Sequence, residues 1–465
     1  MQFIENRTYE EIEIGETAEL TRTLKPEDIE MFAVMSGDVN PAHVDSAYAR
    51  SDMFHKVIAH GMWGGALISA VLGTELPGPG TIYLNQNLNF RHPVGLNDTV
   101  TIRVTVTAKD DAQHHVALDC LCLNQTGETV IEGQATVIAP TVKVRRPRVA
   151  LPEVHLHERG ARFNELIDAT AALDPVRTAV VHPCDALSLE GALEAGARGL
   201  IVPVLIGPRA RIDAVATEIG RDLSGVEVVD VPHSHAAAER AVALGRAGDV
   251  HMLMKGKIHT DELLNPVVNR DTGLRTERRM SHVFVLDVPN YPKPLLISDA
   301  AINIFPDLPT KRDIVQNAIE LAHALGITIP KVAILSAVET VTPDIPSTID
   351  AAALCKMAMR GQITGGVLDG PLAIDNAVSM AAAQTKGIES QVAGQADILI
   401  VPDLDAGNMV AKQLIYLAGA DAAGLVLGAR IPIVLTSRAD GVMSRLASAA
   451  MAQLYVHHHT GGHRT

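Results

Sequence analysis

Between about residues 99 and 138 the chain alternates apolar and polar residues with a period of two. The runs Thr99–Thr107, His115–Leu123 and Thr129–Ile138 are rich in β-branched side chains, and this pattern predicts strands with one buried face. His60–Leu76 breaks the alternation. It is continuously apolar, carries Gly64-Gly65 for close approach, and stops at Pro77-Gly78, so it predicts one buried helix packed against the sheet. Residues 1–140 therefore read as an α+β domain, a sheet around a central helix. Ala139–Arg148 carries neither period, and residues 141–160 read as a linker whose Lys143, Arg145, Arg146 and Arg148 are either solvated or able to meet a phosphate-rich ligand. From about 160 onward, short doubly apolar runs at 178–183, 200–207, 332–338, 365–373, 396–404 and 431–437 alternate with Ala-rich helical stretches. This predicts that residues 161–465 form an α/β domain with a mostly parallel sheet covered on both faces, with chemistry at the carboxyl ends of its strands.

Composition narrows the partners. The 465 residues carry 39 Lys+Arg against 54 Asp+Glu, a formal charge of −15, which opposes any broad polyanion-binding surface. Aromatic residues make up 3%, with Trp63 the single tryptophan, too few for base-stacking or sugar platforms. The four cysteines, Cys120, Cys122, Cys184 and Cys355, form no paired motif and suit a reducing compartment. The N-terminal residues lack the basic and apolar regions of a leader, and no apolar run approaches bilayer length. A cytoplasmic protein acting on small molecules is the expectation, with neither membrane nor nucleic acid as partner.

Two groups of residues carry candidate chemistry. In Met35–Asp45 (MSGDVNPAHVD), Asp38 and His43 flank Asn40-Pro41, and Pro41 predicts that a turn rather than a helix brings them together. Such a pair can activate a water for addition to a polarised double bond; the alternative is an Asx-turn beside a surface histidine. In Ile58–Met62 (IAHGM), Gly61 opens the buried helix. Its free N–H can stabilise an oxyanion, or the glycine serves packing alone. Together, SGDVNPAHVD, Phe54 and IAHGMWGGALIS resemble the motif of the MaoC-like, (R)-specific enoyl-CoA hydratases over nearly all of the first 140 residues. The resemblance implies a hot-dog fold, Asp38 and His43 as the catalytic pair, Gly61 as the oxyanion-binding N–H, and Ser36 and Asn40 as shapers of the site. Ala42 stands where that family more often carries a larger aliphatic residue. The resemblance also implies pairing of two copies.

In the second half, polar groups cluster at predicted strand ends: Lys255 and Lys257 in MKGKIHT; Asp299 and Asn303 in LLISDAAINIFPD; Asp369 in LDGPLAIDNA; Asp403, Asn408 and Lys412 in PDLDAGNMVAK; and Thr436, Ser437, Arg438 and Asp440 in LTSRAD. A Ser-Arg pair holds phosphate through a hydroxyl donor and a bidentate guanidinium, and at most one of Lys255 and Lys257 is expected to face the site. Across about 300 residues these clusters resemble the phosphate acetyltransferase and phosphate butyryltransferase family, its butyryl branch most closely in MKGKIHTDELL and GLRTERRMSHVFVLDVP. That implies a two-subdomain fold like that of isocitrate and isopropylmalate dehydrogenases, and the reversible reaction of acyl-CoA with phosphate to give acyl phosphate and CoA. It also implies phosphate contacts from Ser437 and Arg438, with Arg275 or Arg278 from the basic loop. The acid that the acetyltransferases place two helical turns after Ser-Arg is absent from GVMSRLAS. Asp440, Asp299, Asp369 and Asp403 remain as candidate bases, and Lys255 either faces phosphate or packs against an acid. No GxxxxGK[ST] or GxGxxG follows a strand, so no cofactor is expected beyond the substrates acyl-CoA, CoA, phosphate and acyl phosphate. The terminal histidines do not form a preorganised metal site. The combined reading is a homo-oligomeric enzyme with both activities; its alternative is a hydratase whose second domain, without catalysis, binds an effector or serves oligomerisation.

Overall fold

The computed structural model describes residues 3–149, 154, 160–436 and 441–461, and the chain divides into two compact units, Met1–Leu156 and His157–Thr465.

The first unit contains strands β1 (Phe3–Glu5), β2 (Thr17–Thr23), β3 (Ile82–Phe90), β4 (Thr99–Asp110), β5 (His115–Leu123), β6 (Thr129–Ile138) and β7 (Arg145–Pro147), with helices α1 (Pro26–Ser36), α2 (Pro41–Val44), α3 (Ser46–Ser51) and α4 (Gly61–Thr74). Five strands form an antiparallel sheet in the order β2-β4-β5-β6-β3. The period-two pattern explains its single buried face: Val100, Ile102, Val104 and Val106 on β4, with Val116, Leu118 and Cys120 on β5, join one core with Trp63, Leu67, Ile68, Val71 and Leu72 of α4. A Cβ on Gly64 would lie 2.3 Å from Ile131 Cδ1, so the glycine sets how closely α4 approaches the sheet. At Gly133 a Cβ would come within 2.0 Å of the Asn87 carbonyl oxygen on the neighbouring strand. Gly133→Ala is therefore expected to destabilise this unit by about 2 kcal/mol through forced strand separation. A shift of the urea midpoint for the unit's transition checks this, and an unchanged midpoint would contradict it.

Two sequence expectations are corrected here. Residues 145–147 are not free linker: β7 pairs antiparallel with β1, and Asn6 secures the approach by donating from Nδ2 to Val142 O (2.8 Å) and accepting from Val144 N at Oδ1 (2.9 Å). The basic cluster is largely engaged with acids of its own unit, Lys143 with Glu11 (2.7 Å) and Glu5 (3.4 Å), Arg145 with Glu5 (3.8 Å) and Arg148 with Glu75 (3.9 Å). Pro41 also does not keep His43 off a helix. It occupies the first position of α2, where the missing N–H is no loss, and Asn40 caps the turn by accepting from Ala42 N at 3.1 Å.

The second unit is built on an eleven-stranded sheet. In chain order its strands are β8 (Val176–Val181), β9 (Ile201–Gly207), β10 (Glu227–Asp230), β11 (Met252–Lys255), β12 (Ser281–Asp287), β13 (Leu295–Ser298), β14 (Lys331–Leu335), β15 (Val367–Leu372), β16 (Ile398–Ile400), β17 (Asp421–Leu427) and β18 (Ile433–Val434). The spatial order is β10-β9-β8-β11-β18-β17-β12-β13-β16-β14-β15. Both flanks are parallel, as the alternation of strand and helix predicts, but β18-β17-β12-β13 is antiparallel. The connections there, 288–294 and 428–432, are too short for a crossover and must return as hairpins. Successive residues of β8 face different cores, Val180 one and Ala179 with Val181 the other, as a sheet covered on both sides requires. No helix among the described residues is long and apolar enough to cross a membrane.

Candidate functional site

In the first unit the site begins where α1 ends. Ser36 Oγ donates to Phe32 O (2.6 Å) and accepts from Asp38 N (3.2 Å), while Gly37 takes the left-handed conformation (φ 75°) that turns the chain out of the helix. Asp38 Oδ1 accepts from Asn40 N at 3.2 Å. Ser36 and Asn40 thus build the loop that presents Asp38, which is exposed, and α2 then presents His43.

His43 Nδ1 lies 2.9 Å from Ile58 O, and since a carbonyl only accepts, the proton sits on Nδ1 and Nε2 keeps its lone pair. The neighbouring imidazole is His60. Its Nε2 donates to Asp38 O at 2.9 Å, its ring centroid lies 4.1 Å from that of His43 and 4.9 Å from Phe32, and its buried Nδ1 has no hydrogen-bond partner. His43 and His60 line a cavity of about 280 Å³ whose other walls are mainly apolar, including Phe54, Trp63, Phe90, Val94 and Ile131. Asp38 does not line it, but one ligating atom each of Asp38, His43 and His60 lie within 4.8 Å of one another. Gly61 also lines the cavity as the first residue of α4, and its side-chain position faces the Phe90 ring, 3.1 Å from an added Cβ. His60, the cap, makes no side-chain bond to the helix end; its carbonyl accepts from Trp63 N (2.9 Å), and the Gly61 and Met62 N–H groups lie at the positive end of the helix. An apolar slot with an imidazole acceptor, a carboxylate close by and amide donors at its mouth suits water addition to an acyl chain whose carbonyl sits at the helix end.

In the second unit a cavity of about 350 Å³ collects Lys255, His259, Asn408, Lys412 and Thr436 around apolar walls. Lys255 is buried at the end of β11, and Lys257, beyond the end of that strand, is exposed. Thr436 Oγ1 accepts from the buried Arg445 (2.8 Å), which fixes the chain just past β18. Ser437, Arg438 and Asp440 follow it and lie outside the described residues.

Of the other predicted residues, the structure engages several elsewhere. Asp299 Oδ1 accepts from Ala301 N (3.0 Å) and Ile302 N (3.2 Å), and Oδ2 from Asn303 N (3.0 Å) and Nδ2 (2.6 Å), so Asp299 and Asn303 hold a loop together and line no part of the cavity. Asp403 caps helix Leu404–Tyr416 by accepting from Ala406 N (2.9 Å), and Asp369 accepts from Gly370 N (2.8 Å) on the edge strand β15. Arg278 Nη1 is bonded to Glu320 (2.7 Å) in a separate polar cavity, at the end of the sheet where β12 begins and β17 finishes. Arg275 is exposed and bridges Ala429 there. Because β17 and β18 run in opposite directions, that end is opposite the one at which Thr436 lies.

His60 and His282 are not among the residues that the sequence motifs mark. His60 lies inside IAHGM, but nothing in the string says that its ring turns back onto Asp38. His282, in MSHVFVL, lines the Lys255 cavity from β12, its ring lying over Gly424, where a Cβ would come within 2.6 Å of its Nε2. Burial pushes its pKa down to about 4, only partly countered by Asp299, so this imidazole is neutral at pH 7.

The family model for phosphate acetyl/butaryl transferase matches residues 236–453, and that for a MaoC like domain matches residues 10–119. A phosphate acetyltransferase of Rhizobium meliloti is 64% identical over 295 residues, covering 63% of this chain and 93% of that protein. A phosphate butyryltransferase of Clostridium acetobutylicum is 41% identical over 292 residues, covering 63% and 97%. Among solved structures, a branched-chain phosphotransacylase from Enterococcus faecalis V583 aligns with a TM-score of 0.53 at 30% identity, over 60% of this chain and 99% of that one. The chain belongs to the phosphate acetyl/butaryl transferase family and is an enzyme of that kind, with a MaoC like domain matched ahead of the transferase.

Proposed function

We propose that one chain carries out two reactions of acyl-CoA metabolism: hydration of a trans-2-enoyl-CoA to the (R)-3-hydroxyacyl-CoA, and reversible transfer of an acyl group between CoA and phosphate. The observation that carries the first is the meeting of His43 and Gly61 in one apolar cavity, with the Asp38 carboxylate close to the His43 ring. In this reading Asp38 and His43 take a proton from water as its oxygen bonds to C3, and the proton is returned to C2. The Gly61 N–H supports the charge on the thioester oxygen meanwhile. A cavity of about 280 Å³ suits a short acyl chain.

For the second reaction, Ser437 and Arg438 hold phosphate, with Lys255 and Lys412 supplying positive charge in a chain of net charge −15. The unit is read as a two-subdomain transferase needing no cofactor, in a cytoplasmic homo-oligomer.

The test uses the purified full chain. Hydration of crotonyl-CoA and phosphate-dependent release of CoA from acetyl-, butyryl- and 3-hydroxybutyryl-CoA are both expected. Release from none of the three, by protein that still hydrates crotonyl-CoA, would overturn the bifunctional reading and leave a hydratase with an effector-binding domain.

A further inference from the structure

We propose that Asp38, His43 and His60 form a binding site for a divalent transition-metal ion of the Zn2+ class, and that occupation of the site stops hydration. The site itself is argued from geometry alone, whereas its effect on hydration rests on the reading above.

Three observations support it independently. One ligating atom from each of the three residues lies within 4.8 Å of the others, giving one carboxylate and two imidazoles from two separate chain segments. Each imidazole donates one ring N–H to a backbone carbonyl, His43 Nδ1 to Ile58 O and His60 Nε2 to Asp38 O, both at 2.9 Å. That outer hydrogen bond is the usual support behind a metal-bound histidine; it fixes the tautomer and leaves His43 Nε2 and His60 Nδ1 as lone-pair donors. Finally, His60 is 2% exposed and its Nδ1 has no partner, an acceptor whose burial carries a cost that a cation would remove.

The donor set selects the ion. Two imidazoles and one carboxylate suit Zn2+, Co2+ or Fe2+, while Mg2+ and Ca2+ prefer all-oxygen shells. Bond lengths of about 2.0–2.2 Å around a tetrahedral ion require the three donors to close by roughly 1 Å or more. Asp38, exposed on its loop, can make that movement. Three protein ligands leave a fourth position for water. The ion would engage both the carboxylate and the imidazole lone pair that hydration needs, and the second unit contributes no ligand, so acyl transfer should be spared.

The experiment uses the metal-free full chain with His458→Ala and His459→Ala as background, because histidines on helix Val442–Gly461 are competing ligands. Co2+ is followed by its visible ligand-field absorption and Zn2+ by titration calorimetry, alongside both enzyme assays. One equivalent per chain is expected, with affinity reduced about tenfold or more by His60→Ala and by Asp38→Asn. Zn2+ should abolish hydration, a chelator should restore it, and phosphate-dependent CoA release should persist. Absence of stoichiometric binding, or binding that both substitutions leave intact, would overturn the site. Should His60→Ala misfold, Asp38→Asn at an exposed position still decides the matter. A metal-free chain that never hydrates crotonyl-CoA would sink the hydratase reading, with the Co2+ spectrum and calorimetry still deciding the metal site.

Discussion

His43→Ala and Asp38→Asn are each expected to lower crotonyl-CoA hydration by about a hundredfold or more, the usual weight of a positioned acid–base group. Asp38→Asn is the more informative of the two. The Asp38 carboxylate makes a structural contact through Oδ1, which accepts from Asn40 N, and an amide oxygen can accept the same bond. His60 grips the backbone carbonyl of residue 38, which the substitution leaves in place. The loop should therefore persist while the negative charge and proton-accepting oxygen are lost. His43→Ala removes a ring that rests on His60, so its effect mixes lost chemistry with a changed wall of the cavity. Phosphate-dependent acyl transfer by the same protein serves as the internal control and should stay at the parent rate. Full hydration retained by either variant would remove Asp38 and His43 from the reaction.

How far the chain announces this arrangement depends on what kind of force decides each feature. The central sheet of the first unit is legible because one physical requirement, a single buried face, writes itself into every second residue of β4, β5 and β6. The helix α4 is legible for a different reason, an unbroken apolar run that stops at Pro77-Gly78. Residues 145–147 are not, since three residues pairing with β1 leave no periodic trace, and their position depends on Asn6 and on acids far away in sequence. Pro41 misleads because the same ring that disrupts a helix interior favours a first turn. In the second unit, doubly apolar strands reveal layers but not direction, and the antiparallel centre follows only from connection length. Site residues divide in the same way. Lys255 and Thr436 lie where a strand-end rule places them, whereas His60 and His282 act through the direction of a ring, which spacing does not encode. Arg278, Asp299 and Asp403 match the expected residue type at the expected position, yet a local partner already holds each of them.

Arg438→Ala is expected to reduce phosphate-dependent release of CoA by about a hundredfold or more, as loss of a charge-stabilising donor at a reacting oxyanion typically does. The residue lies outside the described part of the chain, but its neighbour in sequence lies within it. Thr436, two positions earlier, lines the cavity with Lys255 and is tied by its hydroxyl to buried Arg445. A dianion entering that cavity meets a chain of net charge −15 and requires concentrated local positive charge. Lys255 and Lys412 are point charges, but a guanidinium can hold two phosphate oxygens at once and fix their direction. For this reason Arg438→Lys should recover only part of the lost rate, with weakened dependence on phosphate, while hydration is unaffected in both variants. A transfer rate equal to that of the parent in Arg438→Ala would exclude the Ser-Arg pair as the phosphate site and move attention to Lys255, Lys412 and neutral His282, which line the same cavity. A parent chain with no transfer at all, whose hydratase nevertheless responds to phosphate in an Arg438-dependent way, would instead mean that the same charge arrangement has been kept for sensing.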